Sequence, residues 1–563
     1  MRKTASGLVS VRAISGTHVI FLAFDMKESD TKGLLGFAIQ RTDLTEDETI
    51  WLRGNKTFPS IRPSTGFEDA NSHEHPFQAF QWADYTAKPG YNYRYRVIPM
   101  YDKPGALVEK AATTITIGTE PLAGVKHEVH FNRGAIASQA FTKRFPGQTL
   151  DQAGEPAYTW LGRDLVPALL EFIAKAKDNT YSLRAAIYEL HLPEHNPWPD
   201  VLAAFKAAKQ AGADVAIIYH GSDDDTGTTN TQAITDAQIK GMCFPRVKAK
   251  LMHNKFIILS KNGKPVSVWT GSTNISRNAL YGQLNVGHVI HNGALAKQFL
   301  AYWNQLKDDP SAEDLKGWTE TDNALPPKDE SDALTPIFSP HRGRGVFDWW
   351  IELANSPKPL FMTFPFGIVK DFRPVFDKSD GVLRFAMLDK YVNGGTASSR
   401  ATAIADIERI RRFPNIGMAL GNNIFVDWID GWHQEGSGIG VNVNWIHTKF
   451  MLIDPLGKTP ITLTGSANFS VASVNTNDEN MVLIRGDRRV ADIYFGEFMR
   501  VFAHHRFRES VKSHIERFGP AAINTWKPQD LHEDWRKWVP VHFKQGSEHD
   551  IKRRYFAGKD ETS

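Results

Sequence analysis

The chain has 563 residues, of which 41% are apolar and 23% charged, so it exceeds one hydrophobic core, predicts roughly two to four domains, and is not mostly disordered. Its one cysteine, Cys243, excludes an intramolecular disulfide framework and a cysteine-only zinc site. The 66 Lys and Arg against 63 Asp and Glu leave a net charge of +3, which does not mark a nucleic-acid binder.

The N-terminal MRKTASGLVSVRAISG is basic but lacks the roughly 7–15-residue apolar core of a secretory signal. The longest apolar runs, at 19–24 and 361–366, fall far short of the ~20 residues that span a bilayer, so no transmembrane segment is expected. A cytoplasmic protein, a peripheral membrane enzyme and a protein exported without a classical signal all fit.

Residues 8–118 read as short strands at 17–24, 34–41, 77–82, 91–101 and 112–118, separated by turn formers such as Lys88-Pro89-Gly90. Alternation places Tyr91, Tyr93, Tyr95 and Val97 on one face of a strand. The spacing predicts an all-β sandwich. Its Pro-Gly turn and Tyr-x-Tyr-x-Val strand resemble a fibronectin type III domain, which implies a module that binds an unidentified partner or acts as a spacer.

From 125 to 306 the texture turns α/β. Helical periodicity at 160–178 and 198–213 alternates with strands at 182–190 and 214–220. Residues 307–335 carry nine acidic residues between 308 and 332 against two lysines, plus Pro326-Pro327, and read as an acidic linker or surface excursion. A second α/β region spans 336–515. The tail, 516–563, carries Trp526, Trp535 and Trp538 and is expected to pack on the body.

An internal repeat carries the chemistry. His253-Asn-Lys255 followed by Gly271-Ser272-Thr-Asn274 recurs as His447-Thr-Lys449 followed by Gly465-Ser466-Ala-Asn468. Every shared position is displaced by 194 residues. Each His-x-Lys reads as a strand, where residues i and i+2 share a face. A returning strand would bring Gly-Ser-x-Asn beside them. Two imidazoles, two ammoniums and two amides pooled in one cleft suit a phosphodiester, whose charge changes during reaction. One neutral His attacks phosphorus and the other serves as general acid and base. The two lysines supply the positive charge, so no metal is called for.

This doubled motif, His-x-Lys-x4-Asp with Gly-Ser-x-Asn, resembles the phospholipase D superfamily over about residues 125–515. The resemblance implies two similar α/β halves around one pseudo-twofold active site, a phosphohistidine intermediate, and neither metal nor other cofactor. Carried over residue by residue, it implies catalytic roles for His253, Lys255, Asn274, His447, Lys449 and Asn468. Asp454 fills the motif aspartate in the second copy, where the first has Ser260. Phe338-Ser339-Pro340 and 130–141 look like the opening strands of the two halves.

Eleven residues beyond the motif asparagine stand Asn285 in the first copy and Glu479 in the second. A carboxylate there resembles the family residue that holds the catalytic histidine's far nitrogen, which makes His447 the better-supported imidazole and leaves the nucleophile open. Ser272 and Ser466 are candidates for phosphate contact or strand-end packing, and Ser276 and Ser470 for helix caps. Trp428, Trp432 and Trp445, near Gly436, Gly438 and Gly440, form either an aromatic lip or buried packing. Asp223-Asp224-Asp225 reads as a solvated acidic loop.

The expected substrate is a phospholipid at a membrane surface, its head group hydrolysed or transferred. A DNA or RNA nuclease using the same site, and an inactive binding protein, are the alternatives. Two motifs in one chain predict activity as a monomer.

Overall fold

The computed structural model describes residues 1–62, 70–134, 141, 144–191, 200–325, 333–392, 394–421, 446–519 and 529–560. The tryptophan- and glycine-rich stretch at 428–445, Pro326-Pro327, Trp526 and most of 135–143 lie outside the described residues.

The first 118 residues form two antiparallel sheets. One contains Arg2–Ala5, Ser10–Ser15, Ile20–Asp25 and Gln81–Asp84; the other is built on Leu34–Asp43 and Asn92–Lys103. The period-two reading holds: Tyr93, Tyr95 and Val97 are buried while Asn92 and Arg94 are exposed. These side chains share a core with Val11, Leu22, Phe24 and Phe37.

Two mixed sheets follow, and they match strand for strand. The first runs in the order His127–Phe131, Val286–Ile290, Lys264–Gly271, Lys255–Lys261, Tyr181–Ile187, Asp214–His220, Cys243–Arg246. The second runs Leu334–Ser339, Asn477–Arg485, Ile461–Gly465, Phe450–Ile453, Leu360–Phe364, Arg384–Leu388, Ile416–Leu420. In each, the last two pairings are parallel and the rest antiparallel. The strands are buried on both faces and read as continuous apolar runs, as helix-covered strands do.

The helices Gly293–Lys307 and Arg488–Phe518 each follow the equivalent strand of their half, and both feed one core shared by the two sheets. Phe299, Tyr302, Phe495 and Phe498 pack there with Phe256, Phe361 and Phe450. Phe21 of the N-terminal sheets joins this core, with its ring 5.3 Å from Phe495 and 4.9 Å from Phe556. The tail therefore packs on the body: Trp538 is buried, and its indole N–H donates to Leu34 O at 3.1 Å.

Within 307–335, where the sequence suggests a linker, Ala312–Asp322 is a helix. Ser311 caps it by accepting from Asp314 N, Glu313 and Asp314 sit at its positive end, and Leu315 and Thr319 are buried. The acidic residues favour a helix start that charge counting alone reads as a solvated link. Among the described residues, no helix is long and apolar enough to cross a membrane.

Candidate active site

The halves exchange their ends. Leu251–Met252, although it precedes the first His-x-Lys, pairs in parallel with Asn477 and Asp478 of the second sheet. The His253 N–H continues this pairing by donating to Asp478 O at 2.9 Å. Reciprocally, Leu284 bridges Ile446, and His447 N–H donates to Leu284 O at 3.2 Å. Each histidine is thus seated against the opposite half.

This exchange decides which group supports which imidazole. Glu479 accepts from His253 Nδ1, at 2.8 and 3.0 Å to its two oxygens. Asn285 Oδ1 lies 2.9 Å from His447 Nδ1. The expectation that Glu479 supports His447 is corrected: its partner is His253. The two belong to different motif copies, but the cross-half pairing brings them together. The 194-residue symmetry is kept, because the pair His253–Glu479 maps onto His447–Asn285.

The supports are themselves held. Ser466 Oγ donates to Glu479 Oε2 at 2.6 Å and accepts from Asn480 N at 2.9 Å. Ser272 Oγ donates to Asn285 Oδ1 at 2.8 Å and accepts from Val286 N at 3.1 Å. Both serine hydroxyls are thus committed to orienting the supports. Asn285 Nδ2 donates to Ala279 O at 2.9 Å, which turns the amide oxygen toward His447. An acceptor there puts the proton on Nδ1 and leaves Nε2 free. Gly271 and Gly465 precede the serines with φ of 139° and 157°. A Cβ at either would meet a backbone oxygen of the next strand at 2.1 or 2.2 Å, so the motif glycine is sterically required.

Lys255 and Lys449 are 2% and 0% exposed by residue. Each ammonium donates to the carbonyl of its own histidine, at 2.7 and 2.6 Å. Asn274 Oδ1 and Asn468 Oδ1 are buried with no hydrogen-bond partner among the described residues. Asp454 is not brought to the cluster: it lies five residues beyond Lys449, about 16 Å along the strand, in a turn where its carboxylate is 3.8 Å from Lys358. Ser470 caps the helix Val471–Asn475, and Ser276 Oγ accepts from Ala279 N at 3.4 Å. Asp224 caps the helix Asp225–Asp236 and its carboxylate is 2.8 Å from His220.

The cluster is rich in cations and short of counter-charge. Burial pushes the Lys255 ammonium down to about 8, against the pull of Glu479 and Glu189. Burial, and then Lys255, hold Lys449 well below the usual range. Burial and the two lysines hold His253 and His447 well below 6.5. Burial raises Glu479 to about 7, with Lys255 opposing. Each imidazole is thus held uncharged, with Nδ1 engaged by its support and the two lysines nearby.

A lysine whose acidity is raised in the folded state lowers stability below its folded value, and the penalty fades as pH rises from about 8 toward 10.5. Lys255→Met is therefore expected to stabilise the fold by about 1–3 kcal/mol at pH 7. Urea titrations at pH 7 and pH 10 test this. A variant less stable than the parent at pH 7 would contradict the charge balance.

Sequence reasoning missed Arg246, buried and hydrogen-bonded to Asp478 at 2.9 Å, and Tyr188, whose ring stands 5.1 Å from that of His253. Nothing in the motif spacing marks either. The role of Asn285, by contrast, was readable from the symmetry that relates it to Glu479.

A family model described as "Cardiolipin synthase, PLD-like domain" matches residues 169–307 and 424–502. The chain thus carries a phospholipase D-like domain split into two segments, one around each copy of the motif. Among solved structures, phosphatidylserine synthase from Haemophilus influenzae Rd KW20 is similar at 14% identity, over 65% of this chain and 92% of that one, with a TM-score of 0.43. The phospholipase D family member Nuc from Salmonella typhimurium is 25% identical over 26% of this chain and 87% of its own, with a TM-score of 0.21. Yeast tyrosyl-DNA phosphodiesterase is 11% identical over 55% and 84%, with a TM-score of 0.33. No curated protein matches the chain in sequence.

Proposed function

We propose that the protein is a phosphodiesterase of the phospholipase D type that cleaves, or transfers, the head group of a phospholipid at a membrane surface. In this reading 125–306 and 336–515 are the halves of one catalytic unit, and 8–118 is an accessory module. The observation that carries the reading is the pair of buried lysines: Lys255 and Lys449 sit beside the two supported histidines, and each ammonium donates to a histidine carbonyl with no ion pair among the described residues. A phosphodiester monoanion is the missing partner.

His253 is the nucleophile. Glu479 holds its Nδ1–H, so Nε2 presents a lone pair, and the imidazolium formed on attack is stabilised by the carboxylate. The Nε2–P bond forms as the bond from phosphorus to the leaving oxygen breaks. His447, protonated once the anion is bound, gives its proton to that oxygen. It then takes a proton from water or an alcohol, whose oxygen displaces Nε2 and frees the product. Lys255, Lys449, Asn274 and Asn468 bind the non-bridging oxygens, where charge develops. The neutral amide of Asn285 supports imidazolium less than a carboxylate does, which makes His447 the stronger acid of the two.

The test is turnover of mixed phospholipid vesicles and of single-stranded DNA in parallel, in EDTA, with His253→Ala and His447→Ala as controls. Release of head group by the parent and by neither variant is the expected result. DNA cleavage lost in both variants would move the same residues to a nuclease. Full activity in either variant would sink the shared site.

A further inference from the structure

Where the N-terminal sheets meet the tail they enclose a cavity of about 410 Å³, and none of the motif residues lines it. Its walls are fixed across that meeting. Gln78 Nε2 donates to His532 O at 2.6 Å, and Gln78 Oε1 accepts from His532 N at 2.8 Å. Leu531 N donates to Thr57 O at 2.9 Å. Trp82 and Phe77 form an aromatic side of the cavity, their rings stacked with centroids 3.6 Å apart and planes 13° from parallel. Trp82 is half-buried.

One polar atom of the lining is left unpaired. His542 is 6% exposed, and its Nδ1 makes no hydrogen bond among the described residues. Its ring lies 4.9 Å from that of Phe80 and 4.6 Å from that of His549. Burial, then His549 and Arg553, push this histidine down to about 3, so it is uncharged at neutral pH. Buried polar groups are normally hydrogen-bonded, so a neutral nitrogen facing a cavity calls for one hydrogen bond from whatever fills it. The rim is cationic. Lys56 and Lys537 line the cavity, are exposed, and make no ion pair among the described residues. The carboxylate that lines it, Asp530, is committed to Arg62.

An aromatic side, one unpaired nitrogen on a neutral imidazole and two ammoniums without counter-charge suit a ligand of three parts. It has a flat ring, a hydrogen-bonding heteroatom in that ring, and an acidic group outside it. A carboxylate brings a single charge, whereas a phosphate monoester brings about −1.5 to −2 and matches both lysines. The volume falls among sites that enclose small ligands, roughly 300–1,000 Å³. We propose that this cavity binds a nucleoside monophosphate, with its base against Trp82 and hydrogen-bonded to His542 and its phosphate on Lys56 and Lys537. The ligand would join the N-terminal sheets to the tail. The site stands apart from the paired histidines and does not rest on the phosphodiesterase reading.

The experiment titrates the full chain by calorimetry with adenosine 5′-monophosphate, adenosine and ribose 5-phosphate. The monophosphate is expected to bind at least about tenfold tighter than either fragment. Lys56→Met combined with Lys537→Met should weaken it about ten- to a hundredfold. Trp82→Leu should weaken it about tenfold. Lys449→Met should leave it unchanged, which separates this cavity from a phosphate held at the motif cluster. Thermal melting checks the fold of each variant, and the two exposed lysines can be changed without disturbing the core. No binding of the monophosphate, equal affinity for it and either fragment, an affinity that survives the double lysine change, or its loss in Lys449→Met would overturn the inference.

Discussion

With a p-nitrophenyl diester, His447→Ala is expected to release one equivalent of nitrophenol per chain and then stall, while His253→Ala releases none. Nitrophenolate leaves without a proton, so the general acid is dispensable for the first step and needed to activate water in the second. The nucleophile is needed throughout. With an alkyl leaving group both variants should fall about a thousandfold or more, because the alkoxide must be protonated as it departs. The assignment follows from the supports: a carboxylate behind His253 and an amide behind His447. A rapid-quench burst, with acid-labile label retained on His253, reads it directly. A burst kept in His253→Ala and lost in His447→Ala would exchange the two roles.

Arg246→Ala should destabilise the protein by about 3–5 kcal/mol at pH 7, the usual effect of stranding one partner of a buried pair. Arg246 is wholly buried, reaches Asp478 at 2.9 Å and also binds Asp309 and Pro310 O at 2.6 Å. Burial already raises Asp478 to about 6 even with the guanidinium beside it. Without Arg246 that value rises further. An acid whose folded value is raised loses stability as pH climbs above its unfolded value, so the deficit should be greatest near pH 8 and shrink toward pH 5. Urea midpoints at the two pH values check the sign. Adding Asp478→Asn should recover much of the loss, since no charge is then left unpaired. An unchanged midpoint at pH 8 would show that this pair does not join the halves.

The repeat made the α/β architecture and the six motif residues legible, because constant spacing on strands dictates a shared face. The Tyr-x-Tyr-x-Val strand was equally plain from its alternation. The partner of Glu479 was not. Sequence proximity ties it to His447 in the same copy, whereas the edge pairing of Leu251–Met252 with Asn477 and Asp478 delivers His253 instead. Such pairings are set by how two sheets meet, and local pattern does not encode that. The helix at Ala312–Asp322 was hidden for a related reason: its acidic residues look solvated until Leu315 is seen against the body. Arg246 and Tyr188 belong to no motif and acquire meaning only from what lies across the joint.

The exchanged seating of the two histidines has a consequence for how activity is gained and lost. Each imidazole takes both its backbone anchor and its polarising group from the opposite half. If the halves draw apart, both are disarmed in the same event, and neither half alone retains one competent histidine. On the proposed mechanism, activity is therefore all-or-none with respect to closure of that joint, and the least costly way to silence it is to wedge the joint open, with neither histidine altered.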